Sequence, residues 1–108
     1  MNHEQNKQLL ETLNNCAAAC NACIDACLHE KDVNMMAKCI QLDMDCAAIC
    51  TLTASFVARG SVHAPHLFKE CAEICNACAA ECEKHMANGM EHCKIYAIAC
   101  RACAAACI

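Results

Sequence analysis

The chain has 108 residues, a formal net charge of -4 at neutral pH and fifteen cysteines, a share far above ordinary usage. This length suits a single domain, which we predict to span residues 1–108. The acidic charge balance, the single tyrosine and the lack of tryptophan leave little for nucleic acid to bind or stack upon, so no nucleic-acid partner is expected.

The N-terminal stretch MNHEQNKQLLETLNN has no charged start followed by an apolar run, so we expect no signal peptide. No stretch approaches the roughly 18 uninterrupted apolar residues that would span a bilayer, and no membrane partner is expected. A cytoplasmic location would keep the thiols reduced. The odd number of cysteines also argues against a fully paired disulfide framework.

Helix signals dominate the whole chain. The predicted helices run from His3 to Leu28, from Val33 to Arg59, from Pro65 to Ala87, and from Met90 to the C-terminus. Pro65 suits the first turn of a helix, where its missing N–H costs nothing. Gly60 and Gly89 suit the left-handed position just past a helix end.

The two halves of the chain look duplicated. The row CxxxCxxCxxxC at Cys16–Cys27 recurs at Cys71–Cys82, 55 residues later. The second helix matches the fourth at an offset of 54 residues, pairing Met36, Cys39 and Cys46 with Met90, Cys93 and Cys100. The connections HEKDVN and ANGM are short, so each half should be an antiparallel helical hairpin. The sequence therefore predicts an all-α fold, an antiparallel up-down-up-down four-helix bundle formed from two similar hairpins.

The cysteines of each predicted helix share one face, because successive residues turn by about 100°. The bundle axis should therefore be lined mostly by sulfur. Cysteine as a small hydrophobic residue explains one or two such positions, but not rows on four helices. Disulfides within a helix are disfavoured, because Cβ atoms at i and i+4 lie about 5–6 Å apart and a disulfide needs about 3.8 Å. The candidate metal ligands are Cys16, Cys20, Cys23, Cys27, Cys39, Cys46, Cys50, Cys71, Cys75, Cys78, Cys82, Cys93, Cys100, Cys103 and Cys107.

Thiolates select soft or borderline metals, namely Cu(I), Zn(II) or iron in clusters. Structural zinc and iron–sulfur sites usually take cysteines from turns and loops, whereas these rows lie within helices. A zinc ion with four thiolates carries a charge of -2, which is costly to bury, while one Cu(I) per thiolate is neutral. We therefore expect multiple Cu(I) ions, roughly one per cysteine and about 15 when full. An iron–sulfur or zinc-binding cysteine-rich protein remains the alternative.

Such a redundant core favours storage or detoxification over catalysis, and no residue set resembles a nucleophile–base pair, so no enzyme is predicted. The twin rows at Cys16–Cys27 and Cys71–Cys82 resemble those of the cysteine-rich four-helix-bundle copper storage proteins, in particular their cytosolic bacterial branch. The resemblance covers essentially the whole chain. It implies many Cu(I) ions bound by cysteine sulfur inside the bundle, copper uptake near His and Met residues at one end, and a homo-oligomer, commonly a tetramer.

Several residues outside the cysteine rows are candidates for additional metal binding. Asp43 lies on the second helix between Cys39 and Cys46. It has three interpretations: an oxygen ligand, a partner for nearby polar groups, or a residue rotated to the helix edge. The end of the bundle that holds both short connections should gather Met35, Met36, His85, Met86 and Met90. Their neutral donors bind Cu(I) more weakly than thiolate does, which would suit transfer into the core. The alternative is that the methionines simply plug the bundle and the histidines are solvated.

Overall fold

The computed structural model describes residues 2–108, in which four α-helices account for most of the chain. They are α1 (His3–Leu28), α2 (Ala37–Ala58), α3 (Ala64–Ala87) and α4 (His92–Ala106), and a 3₁₀ turn at Val33–Met36 precedes α2. The predicted bounds of the first helix are confirmed, and the third helix begins one residue early. The second and fourth helices begin later than predicted.

Both late starts have a local cause. Before α2 the backbone forms tighter i→i+3 hydrogen bonds, such as Met35 N–H to the Asp32 carbonyl at 3.1 Å. Before α4 the backbone likewise forms i→i+3 hydrogen bonds, from Cys93 N–H to the Met90 carbonyl and from Lys94 N–H to the Glu91 carbonyl, both at 3.1 Å. Both helices therefore begin after a tighter turn that is not yet α-helical.

The helix ends carry recognisable stop and start signals. Asn2 and Gln5 form a reciprocal capping box at the start of α1, with N···O distances of 2.8 and 3.0 Å. Gly60 and Gly89 follow α2 and α3 with φ angles of +67° and +95°, as predicted. The amide after each glycine donates back into its helix at 3.0 Å, which completes a Schellman motif.

The four helices surround one core, and each packs against two neighbours. Contacts join α1 to α2, α2 to α3, α3 to α4 and α4 to α1. Across the diagonals the backbones stay apart and side chains meet in the core, as where Cys50 Sγ of α2 lies 3.7 Å from Cys103 Sγ of α4. The bundle measures 45 × 18 × 17 Å. We call the end that holds residues 29–36 and 88–91 the hairpin end. The start of α1, the end of α4 and residues 59–63 lie at the opposite end. The predicted up-down-up-down bundle is confirmed.

The core is narrow because its residues are small. Besides the cysteines it contains alanines such as Ala79, while larger side chains occur mainly toward its ends. Leu9, Leu13 and Val57 are buried toward the opposite end, and Met36 is buried at the hairpin end. Closing one end with aliphatic side chains leaves the hairpin end as the more polar approach to the sulfur-lined interior.

One segment, Val33–Ala58, is long and apolar enough by composition to cross a membrane, with a mean hydropathy of 1.3 over its best window. The core helix of a bundle meets the same criterion, and here one face of α2 buries thiols and the Asp43 carboxyl group. Its outer face still exposes Met44 and Leu52, by 57% and 45%. The packing of α2 thus explains its inner face but leaves an apolar outer face.

Candidate metal centre

All fifteen predicted cysteine ligands are buried and have free thiols. Each is fully buried except Cys107, which is 4% exposed. The helical rows converge because cysteines spaced by three and four residues lie on the face that each helix turns toward the axis. The structure therefore brings the whole predicted thiol set into one interior.

Neighbouring sulfur atoms lie at separations that suit a shared metal ion. Cys46 Sγ lies 3.6 Å from Cys75 Sγ and 3.7 Å from Cys16 Sγ. A metal–sulfur bond of about 2.3 Å places sulfurs about 3.8 Å apart in a tetrahedral site and about 4.0 Å apart in a trigonal one. A disulfide bond is only about 2.05 Å long, so these are separate thiols. Ions could be bound here with little movement of the backbone.

Eight thiols form what we call the central cluster, from three overlapping groups of four. Its members are Cys16, Cys20, Cys46, Cys50, Cys71, Cys75, Cys100 and Cys103. Cys50 belongs to two groups and lies 3.9, 3.7 and 3.7 Å from the sulfurs of Cys71, Cys75 and Cys103. Because groups share sulfurs, one thiolate can bridge two ions, and the ion count can approach the thiol count.

A second set of candidate ligands, which we call the outer group, lies nearer the hairpin end and includes a carboxylate. Asp43 groups with Cys23, Cys39 and Cys82, and also with Cys20 and Cys78. The Cys78 thiol donates to Asp43 Oδ1 at 3.1 Å, and Asp43 is only 1% exposed. Burial raises the pKa of Asp43 to about 6. Of the three readings of this residue, the helix-edge position is wrong, because the side chain lies in the core and links the two groups.

Three cysteines lie outside these groups. Cys27 Sγ is 3.8 Å from Cys23 Sγ and 3.9 Å from Cys39 Sγ, which places it beside the outer group. Among the described residues, Cys93 and Cys107 join none of the groups of close ligand atoms. Burial raises the pKa of Cys93 to about 12. This thiol is therefore protonated at neutral pH.

Within the clusters, one thiol can be stabilised as a thiolate by its neighbours. The pKa of Cys71 is lowered because thiols around it, first that of Cys103, donate hydrogen bonds to its sulfur. The pKa of Cys82 is lowered in the same way, first by Cys23. Sharing S–H donors in this way allows a dry core to hold a few thiolates beside many neutral thiols.

The hairpin-end candidates are placed unevenly. Met36 and His85 are buried, Met86 and Met90 are partly buried against the core, and Met35 is 55% exposed. His92 packs edge-on against Tyr96, with ring centroids 6.0 Å apart. His63 and His66 are exposed at the start of α3, away from this end. Four side chains with thioether or imidazole donors therefore lie against the core, two of them buried and two partly buried.

Glu81, a buried carboxylate beside His85, was not among the residues predicted from the sequence. Its Oε2 atom lies 3.0 Å from His85 Nε2, and its Oε1 atom lies 3.8 Å from Lys38 Nζ and 3.6 Å from Lys84 Nζ. Glu81 and His85 are four residues apart, and this spacing on a helix could have revealed the pair. It was hidden because both residue types are ordinary on a solvated helix face.

Comparisons with known proteins agree with this arrangement. The chain matches the copper storage protein family, Csp, over residues 2–108. Two structures of the cytosolic copper storage protein Ccsp from Streptomyces lividans, one with five coppers and one loaded with 10 copper equivalents, are each 43% identical to it. Each covers 96% of this chain, with a TM-score of 0.89, and the alignments cover 89% and 81% of the respective Ccsp chains.

A second structural relative is the Cu(I)-bound copper storage protein BsCsp3, which is 36% identical over 95% of this chain and 94% of its own, with a TM-score of 0.87. The apo form of Csp3 from Bacillus subtilis is 37% identical, covers 94% of this chain and 93% of its own, and has a TM-score of 0.84. The cysteine-rich protein YhjQ of the same organism, strain 168, is 42% identical over 43 residues, a match that spans 40% of each protein. The family match covers nearly the whole chain, and the solved relatives are copper storage proteins rather than enzymes. The chain therefore belongs to the copper storage protein family.

Proposed function

We propose that this protein stores and detoxifies Cu(I) in the cytoplasm, holding many ions in the thiol-lined interior of a single unit that spans residues 1–108. The observation that carries the proposal is the overlap of the four-thiol groups in the central cluster. Overlap allows one sulfur to serve two ions, which suits dense storage and is unnecessary for an isolated structural site. The relatives loaded with copper support the same conclusion.

Charge favours Cu(I) over the alternative metals. The sulfur separations of 3.6–3.9 Å would suit zinc as well as copper, so geometry alone does not choose. Filling overlapping groups with zinc would bury several negatively charged sites, whereas equal numbers of Cu(I) ions and thiolates are neutral. Among the described residues the core contains no buried lysine or arginine that could balance a negative charge, so an electrically neutral set of Cu(I) ions and thiolates suits it better.

We assign the fifteen cysteines as ligands and Asp43 as an additional oxygen ligand. Asp43 offers oxygen atoms to two ligand groups at once, which supports a role beyond polar packing. The closed, redundant interior supports a storage role without enzymatic chemistry, because catalysis needs an open coordination position.

Copper would be taken up at the hairpin end. Met36, His85, Met86 and Met90 bring thioether and imidazole groups against the core there, while Leu9 and other aliphatic residues close the opposite end. Weak neutral donors can pass Cu(I) on to thiolates that bind it more tightly. Met35, being largely exposed, would at most make the first contact.

We further propose that the protein forms a homo-oligomer, namely the tetramer that the family resemblance implies. The exposed Met44 and Leu52 on α2 and Ile95 and Ile98 on α4 supply apolar area on two outer faces of the bundle. Light scattering should give roughly four times the chain mass of 11.6 kDa. The double variant Met44→Glu/Leu52→Glu should yield a smaller species. A wild-type protein that remains monomeric at micromolar concentration would contradict the assembly.

The storage capacity is tested by an anaerobic titration of the reduced apo protein with Cu(I) against a chromophoric Cu(I) chelator. We expect the chelator to stay uncoloured until about one equivalent per cysteine, roughly 15 per chain, has been added. The product should be colourless in visible light, whereas an iron–sulfur protein is brown. Saturation at one or two ions would refute storage and turn attention to zinc.

A further inference from the structure

We infer that Glu81 is a positioning residue that fixes the tautomer of His85, so that His85 presents Nδ1 as the donor atom to incoming Cu(I). The inference rests on the proposed uptake of copper at the hairpin end. Glu81 and His85 both lie on the inner side of α3, with exposures of 8% and 5%. His85 also lies one helical turn beyond Cys82, a member of the outer group.

The contact between Glu81 and His85 determines which ring nitrogen carries the proton. His85 Nε2 lies 3.0 Å from Glu81 Oε2. A carboxylate only accepts hydrogen bonds, so Nε2 must be the donor and carry the proton. The opposite tautomer would set the Nε2 lone pair against the carboxylate oxygen, which is repulsive.

The other ring nitrogen has the properties of an available ligand atom. His85 Nδ1 is buried and has no hydrogen-bond partner among residues 2–108. A proton on Nδ1 would therefore be a buried donor without an acceptor, whereas a bare lone pair can bind a soft metal ion. Carboxylates commonly hold ligand histidines in this way.

Two lysines lie near the other oxygen of the carboxylate. Lys38 from α2 and Lys84 from α3 both approach Glu81 Oε1, at 3.8 and 3.6 Å, and leave Oε2 for His85. The two oxygens therefore have different partners. In contrast, His92 Nδ1 is 3.9 Å from Glu30 Oε1, too far for a hydrogen bond, so the second hairpin-end histidine has no comparable partner.

This division of partners provides an isosteric test. In Glu81→Gln, the amide oxygen should face the two ammonium groups, because these can only donate. The amide NH₂ would then donate to His85 Nε2, and the ring proton would move to Nδ1. The substitution thus keeps the size of the side chain and the hydrogen bond but reverses the tautomer.

The experiment measures the His85 tautomer by long-range ¹H–¹⁵N NMR and the rate of uptake of the first Cu(I) equivalent, both on the reduced full-length apo protein. We expect a proton on Nε2 in the wild type and on Nδ1 in Glu81→Gln, with uptake slowed about 10- to 100-fold in the variant. Glu83→Gln is the matched control, because Glu83 is on the same helix but pairs with Arg101 on the outside. It should change neither measurement.

A second comparison separates positioning from simple attraction of the copper ion by a negative charge. In a His85→Ala background, Glu81→Gln should have no further effect on uptake. An equal slowing in that background, or an unchanged tautomer in Glu81→Gln, would overturn the positioning role. If His85→Ala itself loads at the wild-type rate, the proposed uptake end is wrong, and the capacity titration then shows whether storage survives.

Discussion

Replacing Cys50 by alanine should remove more than one Cu(I) from the capacity of each chain. The Cys50 sulfur belongs to two overlapping four-thiol groups and lies within 3.9 Å of three other sulfurs. If one sulfur bridges ions in both groups, its loss leaves each group with three thiols. An anaerobic titration of Cys50→Ala beside the wild type measures the difference directly.

Cys93→Ala is the matched control for this variant. Cys93 is equally buried, but it joins none of the ligand groups described here. Both variants lose one buried sulfur and should be destabilised by a similar amount, about 1 kcal/mol, without loss of helix in circular dichroism. Cys93→Ala should lose at most one ion. Equal losses in the two variants would show that bridging sulfurs do not determine capacity.

The stability of the apo protein should decrease as pH rises from about 4 to 7, through the titration of Asp43. Burial raises the folded-state pKa of this carboxyl group to about 6, from an ordinary value of 3.8. The folded state therefore binds more protons than the unfolded state in this interval, and the free energy of unfolding falls with pH. A pKa shift of this size lowers the free energy of unfolding by about 3 kcal/mol. The loss is complete above the folded-state pKa and absent below about pH 4.

Asp43→Asn isolates this contribution, because it removes the charge and keeps a side chain of nearly the same size. The variant should match the wild type near pH 4 and exceed it by up to about 3 kcal/mol at pH 7 in urea unfolding of the reduced protein. Asp45→Asn, on the same helix but exposed, should track the wild type throughout. A difference between Asp43→Asn and wild type that does not vary with pH would contradict the assigned pKa.

The sequence predicted the bundle because its signals were local and repeated. The rows at Cys16–Cys27 and Cys71–Cys82 fix which face of each helix is buried, and Gly60, Pro65 and Gly89 mark the breaks between helices. Small errors arose at the starts of α2 and α4, where the first turn forms i→i+3 rather than α-helical hydrogen bonds. Hydrophobic periodicity does not reveal such local tightening of the backbone.

The sequence by itself determined the ligand type, the helical rows and the end of the bundle where the histidines and methionines gather. Only the tertiary structure decided which sulfurs from different helices lie within 4 Å, because helix spacing fixes a face but not the axial register between helices. It also decided that Asp43 lies inside and that Glu81 is bound to His85. From the sequence alone a charged side chain is expected to be exposed to solvent. Whether it is buried depends on the neighbours that the fold brings to it.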